Sequence, residues 1–176
     1  MGTIEIPLSK NKLAGMLVGA IAFVGVGLWF IIAPPPISNP YFGSPTRLLF
    51  LGVIAILFFG VGAIYIIRKL QDKRPGLIMD QLNLVDRSSG ASAGPILWSD
   101  IVNIEVVQIH RQRLIVLEVK NPEYYINKQT SVVKRRMMQA NYKMFGSPIS
   151  ITPNTLQIKF DDLMKLLTNG WQASRA

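Results

Sequence analysis

Apolar residues fall along this chain in three rhythms. From Leu13 to Ala33 and from Leu48 to Ile67 no charged side chain occurs, in runs of twenty-one and twenty residues. As a helix, each is long enough to cross a hydrocarbon core of roughly 30 Å at about 1.5 Å per residue. Beyond Pro75 the apolar runs shorten and begin to alternate with polar residues. Leu77–Asp80, Leu82–Asp86, Ile96–Trp98, Ile101–Ile109 and Leu114–Val119 read as strands, with a Ser/Gly/Ala-rich turn at 88–94 and a hairpin turn at 110–113. Val102, Ile104 and Val106 share one face of the fourth of these, and Ile115, Leu117 and Val119 one face of the fifth.

The third rhythm is helical. Asn121-Pro122-Glu123 offers a cap, a proline at the first position and an acid in the first turn. Ile126, Thr130, Val133, Met137, Ala140 and Met144 then recur at spacings of four and three, which draws an apolar stripe along a helix ending near Gly146. Ile149–Ile151 and Leu156–Ile158 read as a hairpin about Pro153-Asn154. A last helix is expected over 162–167 or a little further, capped by Asp161, with Leu163, Leu166 and Leu167 facing inward.

Cations flank the long runs unevenly. Lys10 and Lys12 precede the first, and Arg68, Lys69, Lys73 and Arg74 follow the second, whereas the connecting segment 34–47 has only Arg47. The bias of Lys and Arg toward the cytoplasm puts both termini inside and the connection outside, in a cytoplasmic (inner) membrane. The first run exceeds the apolar region of a secretory signal and is followed at once by Pro34-Pro35-Pro36, so it is expected to be retained. The organisation expected is a cytoplasmic N-terminus (1–12), a transmembrane hairpin (13–67, spans 13–33 and 48–67), a basic linker (68–75) and a cytoplasmic domain (76–176). The proline-rich connection is expected to hold Tyr41 and Phe42 near the interface. Gly15 and Gly19, with Gly52 on the second run, supply small surfaces for helix packing, within one hairpin or between two copies as a homodimer.

Composition narrows the chemistry. The chain has 49% hydrophobic and 16% charged residues, below the roughly 25% charged of an ordinary soluble domain, with a net charge of +9. Such hydrophobicity excludes disorder. The absence of cysteine excludes disulfides, zinc–thiolate sites and thiol catalysis, and a single His leaves little for acid–base work. The charge divides into +5 up to Gly76, from seven basic and two acidic residues, and +4 beyond it, from twelve and eight.

The run GLIMDQLNLVD, then Ser88-Ser89-Gly90, then Gly94-Pro95-Ile96-Leu97-Trp98-Ser99-Asp100-Ile101 with Ile104 three residues on, resembles the opening of bacterial pleckstrin-homology-like domains. The resemblance is closest to a two-span family of Gram-negative membrane proteins. It implies a small barrel of seven strands closed at one end by a C-terminal helix, with Ile96, Trp98, Ile101 and Ile104 in the core and Ser99-Asp100 satisfying backbone donors in a turn. This chain departs from the family in the helical segment of about two dozen residues between its strands, which leaves closure of the barrel open.

The fold class expected is therefore an α+β membrane protein, a transmembrane hairpin followed by a small pleckstrin-homology-like barrel or sheet domain with a basic inserted helix. Lys128, Lys134, Arg135, Arg136 and Lys143, with no acid among them, make that helix the candidate surface for anionic lipid or a membrane or cytoplasmic protein partner. The alternative is that the Met/Val stripe of this helix packs on the barrel and the cations are a solvated face. Tyr124, Tyr125, Tyr142 and Phe145 interleave with the cations, but no nucleic-acid recognition motif accompanies them. No catalytic, metal or cofactor residue is expected: a phosphate loop, a zinc-protease motif and a Ser/His/Asp grouping are all absent from the sequence. The spans lack ionisable residues, which argues for an anchor over a carrier. The leading expectation is a non-enzymatic membrane protein binding headgroups or a protein at the bilayer. The alternatives are a toxin-neutralising immunity protein or a small accessory subunit of a membrane complex.

Overall fold

The computed structural model describes residues 2–36 and 44–175; Tyr41 and Phe42 lie outside the described residues. The chain divides into two compact units, Lys10–Lys73 and a second made of Met1–Ser9 with Arg74–Ala176.

The first unit is two long helices, α1 (Lys10–Ile32, 23 residues) and α2 (Pro45–Gln71, 27 residues), each long and apolar enough to span a membrane. Their rise gives lengths of about 35 and 40 Å. α2 starts three residues earlier than the uncharged run because Pro45 is pre-set for the first turn, and it ends with Arg68 and Lys69, whose charges suit the negative end of the helix dipole. The helices approach most closely at Gly27 and Gly52. A Cβ on Gly52 would stand 2.6 Å from the Gly27 carbonyl oxygen, and one on Gly27 would stand 2.9 Å from that of Gly52. Phe23 and Phe59 stack across the same pair at 4.3 Å. Gly52 thus serves the packing expected of it. Within this hairpin a Cβ on Gly15 or Gly19 would meet nothing within 4 Å, and the residue of α1 that meets Gly52 is Gly27.

Among the described residues the second unit holds seven strands in two antiparallel sheets. β1 (Ile4–Ile6), β2 (Leu77–Met79), β3 (Asn83–Asp86) and β4 (Gly94–Leu97) form one in that order. β5 (Ile101–Ile109), β6 (Gln112–Val119) and β7 (Ile149–Ile151) form the other. Residues 1–12, expected to stand apart as a terminus, instead contribute the first strand: Ile6 faces Leu77 across the β1–β2 pair and Ile4 faces Met79. Leu8 then bridges Leu156, and Pro7 and Ser9 exchange backbone hydrogen bonds with Gln157 and Thr155. Gly76 is enclosed by this junction, where a Cβ would stand 2.5 Å from Leu156 and 2.8 Å from Leu8. The core between the sheets is built of Leu77, Leu84, Ile96, Ile115, Leu117 and Ile151, all fully buried.

A single 3₁₀ turn at Trp98–Asp100 carries the chain from the first sheet to the second. The indole of Trp98 donates to the Asp80 carbonyl oxygen (2.9 Å), and its ring lies against helix α5 (Phe160–Ala173) at Gly170, where a Cβ would come within 2.9 Å of the ring. A glycine inside a helix costs about 1 kcal/mol against alanine. Here it admits the tryptophan, and the helix runs through Gly170 to Ala173. Leu163 and Leu167 reach the core, and the indole of Trp171 donates to the Ile101 carbonyl oxygen (2.9 Å). Asp161 is not the cap: Lys159 holds that position, and Asp161 sits in the first turn, paired with Arg113 at 3.0 Å.

Four further expectations are corrected. The 153–155 segment is a 3₁₀ turn, and Leu156 pairs with Leu8 in place of a hairpin partner. The β5–β6 turn tightens to His110-Arg111, with His110 in the left-handed region at φ 53° and Ile109 opposite Gln112. Val102 and Val106 are exposed and Ile104 is only half-buried, although Ile104 and Val106 pair with the buried Leu117 and Ile115, because β5 is the edge strand of its sheet; a bulge falls between Ile101 and Asn103. Asn121 precedes a helix as expected, but its side chain makes no capping bond.

Two substitutions test these contacts. Ile6→Asp places a carboxylate on the buried side of β1 and is expected to destabilise the second unit by more than about 3 kcal/mol, read as lost hydrogen-exchange protection in β2 and β3. In the helical unit, Gly52→Leu is expected to cost about 1–3 kcal/mol by overpacking while Gly15→Leu stays within about 0.5. Equal shifts in detergent melting would contradict the Gly27–Gly52 crossing.

Candidate functional site

The basic segment is not one helix. α3 (Pro122–Asn127) stops after six residues and α4 (Val132–Phe145) begins after a polar turn, with the Ser131 side chain accepting from the Lys134 amide. The polar run Asn127-Lys128-Gln129-Thr130-Ser131 ends the first helix because these side chains compete for backbone groups. Gln129 is buried in this turn, where its amide donates to the Ala93 and Tyr125 carbonyl oxygens, each at 3.1 Å. Spacings of four and three continue through the turn by coincidence, so Ile126 and Val133 belong to different helices.

That break sets the orientation of α4 independently of α3. Its buried residue is Met138, and its Asn141 side chain donates to the Ser150 hydroxyl at 3.3 Å. Ser150 is the register partner of Val116, on the face of the second sheet opposite Ile149 and Ile151. α4 therefore lies on the sheet's outer side, and it ends where Gly146 adopts a left-handed conformation at φ 74°. Of the two placements open for the stripe, its α4 part looks outward: Val133 is 68%, Met137 44% and Met144 65% exposed.

The five candidate cations separate into two kinds. Arg135 turns inward, and its guanidinium donates to the Gln129 carbonyl oxygen at 2.9 Å, fastening α4 to the turn that precedes it. Lys134 is half-buried on the same flank. Arg136 and Lys143, by contrast, are exposed beside the outward apolar stripe. Lys128 is exposed in the turn, its ammonium 5.3 Å from the centre of the Tyr124 ring. Of the cations flanking the two long apolar helices, Lys10 and Lys12 lie in the opening turn of α1, Arg68 and Lys69 in the closing turn of α2, and Lys73 and Arg74 in the segment after it.

Behind this surface is a contact that sequence reasoning assigned differently. Asp100, expected to satisfy backbone donors, accepts the Tyr125 hydroxyl at 2.6 Å and so ties the 3₁₀ turn to α3. Burial, and then the bond to the Asp100 carboxylate and its charge, hold the Tyr125 phenol well above the usual tyrosine range. Nothing in the spacing of Asp100 and Tyr125 announces the pair. The Ser131 cap, in contrast, was readable as a Ser ahead of Val132-Val133.

Among the described residues no group of three His, Cys, Asp or Glu side chains is placed to hold a metal ion. A cleft of about 230 Å³ between Asp80-Gln81 and the end of α5 (Gly170, Ala173, Ser174) gathers one carboxylate and no partner for it in acid–base work. No protein-family model matches the chain, and neither a curated protein nor a solved structure does.

Tyr125→Phe tests the Asp100 contact. The folded state holds the phenolic proton more tightly than the unfolded chain, so this contribution is complete below about pH 10 and declines as pH rises above it. The variant is expected to lose about 2 kcal/mol at neutral pH and to have a flatter alkaline limb above about pH 10. Parallel limbs in urea titrations would assign the alkaline loss to another group.

Proposed function

We propose that this chain is a non-enzymatic integral membrane protein whose two helices anchor a pleckstrin-homology-like domain at the cytoplasmic face of the inner membrane, where the domain binds lipid headgroups or a protein. The observation that carries the reading is the position of the helices in the chain. They are inserted between β1 and β2, which pair with one another, so the chain leaves the domain and returns to it after two long apolar helices. Only 11% of the most apolar window of each helix is buried, where the core helix of a soluble protein would be mostly covered. A chain that crosses a bilayer twice returns to the side it left, as the β1–β2 pair requires. The cations at 10, 12, 68, 69, 73 and 74 favour the cytoplasm as that side.

Seven strands divided four and three, followed by a C-terminal helix over the link between the sheets, support the pleckstrin-homology-like assignment. Binding is favoured over catalysis by composition: the chain offers one His and no Cys, and its His is at an exposed hairpin tip. The segments joining helices to strands, residues 7–9 and 72–76, allow a reach of only about 10 and 17 Å. A domain on such tethers works at the surface in which its helices are embedded.

The test is to extract the full chain from membranes in mild detergent and weigh it by native mass spectrometry. We expect it in the alkali-resistant membrane fraction, carrying anionic phospholipid or a stoichiometric protein. Recovery in the soluble fraction, or from membranes with neither companion, would overturn the reading.

A further inference from the structure

We infer that the outer face of α4 is a membrane-insertion surface: Val133, Met137 and Met144 enter the headgroup–acyl boundary of an anionic bilayer while Arg136 and Lys143 bind its phosphates. The inference rests on the membrane reading above and assigns the contact to one helix face. The apolar side chains at 133, 137 and 144 fall within about 40° of one another around the helix at 100° per residue, and Arg136 and Lys143 lie together on one flank of them. All five are exposed. Three large apolar side chains on one exposed face are costly to leave in water, at about 25 cal/mol per Å².

Charge identifies the occupant. Between Glu123 and Asp161 the chain carries six basic residues and no acid, so a partner must be both apolar and negatively charged. An anionic bilayer boundary supplies both over a continuous surface, and a peripheral amphipathic helix with cations beside its apolar face is suited to it. The interior attachments of α4 leave this face free for the purpose. Met138, Asn141 and the Arg135 guanidinium hold the helix to the domain from the other side. Arg135 is thereby removed from the lipid-binding set and becomes the fastening that keeps the insertion face outward.

The natural chain has no cysteine, so single nitroxide labels go on without background. Met137→Cys and Met144→Cys, each in the full chain, are labelled and reconstituted in nanodiscs of phosphatidylcholine alone or mixed with phosphatidylglycerol. Collision with oxygen is compared with collision with a water-soluble nickel complex. Expected are labels shielded from nickel in the anionic discs and accessible to it in the neutral ones. Adding Arg136→Gln with Lys143→Gln is expected to lower the inserted-to-free ratio roughly thirty-fold, about five-fold per cation, with unchanged melting, since neither side chain fastens the helix. Labels equally open to nickel in both discs would overturn the insertion while leaving the anchored-domain reading in place. Dipolar broadening between labels would overturn it in favour of a second copy covering the face. A chain that fails to remain in the discs would overturn both.

Discussion

The pairing of β1 with β2 is the constraint on which the rest of this structure depends. Strand β1 is three residues long, and such a strand contributes little alone. Its place is fixed by the contacts that continue it, where Leu8 meets Leu156 and Gly76 makes room for both. Through that junction the segment before the first helix and the segment after the second become parts of one sheet. The helical hairpin is thus an insertion in a domain, and the domain cannot be described as something appended after an anchor. The same junction bears on whether the first apolar run could be a cleaved leader: cleavage after it would remove a strand and a core leucine from the mature fold.

Much of the architecture was legible because it rests on long or strict periodicities. Two uncharged runs gave two helices within a few residues of their limits, and the alternation of Ile115, Leu117 and Val119 marked the central strand of the second sheet. What escaped was set by contacts distant in sequence. Ile4–Ile6 is too short to announce a strand, and only its partner seventy-odd residues on makes it one. The glycine crossing followed the same logic: small residues at 15, 19, 27 and 52 are equivalent in sequence, and the meeting of the two helices selected the last two.

The candidate surface was half legible for a related reason. The cations were visible, but an apolar stripe at helical spacing does not say which way it faces. A polar turn at 128–131 reset the helix phase, and a tether from Arg135 to Gln129 fixed the new one. One basic residue of a cluster then became part of the scaffold while its neighbour stayed in solvent. Exposed methionine and valine beside cations are a different chemical object from a solvated basic face, because they combine charge attraction with an apolar reward.

The insertion of the hairpin between paired strands also orders events during synthesis. β1 leaves the ribosome first, yet its partner β2 follows only after both long helices have been made. At about 5–20 residues per second, that is a wait of roughly 4–14 s. Throughout it the first strand has no sheet to join, and its Glu5 helps to keep so short an edge from pairing elsewhere. Closure of the first sheet is therefore a late step that follows synthesis of both helices, so the folded domain itself reports that its two distant segments have met.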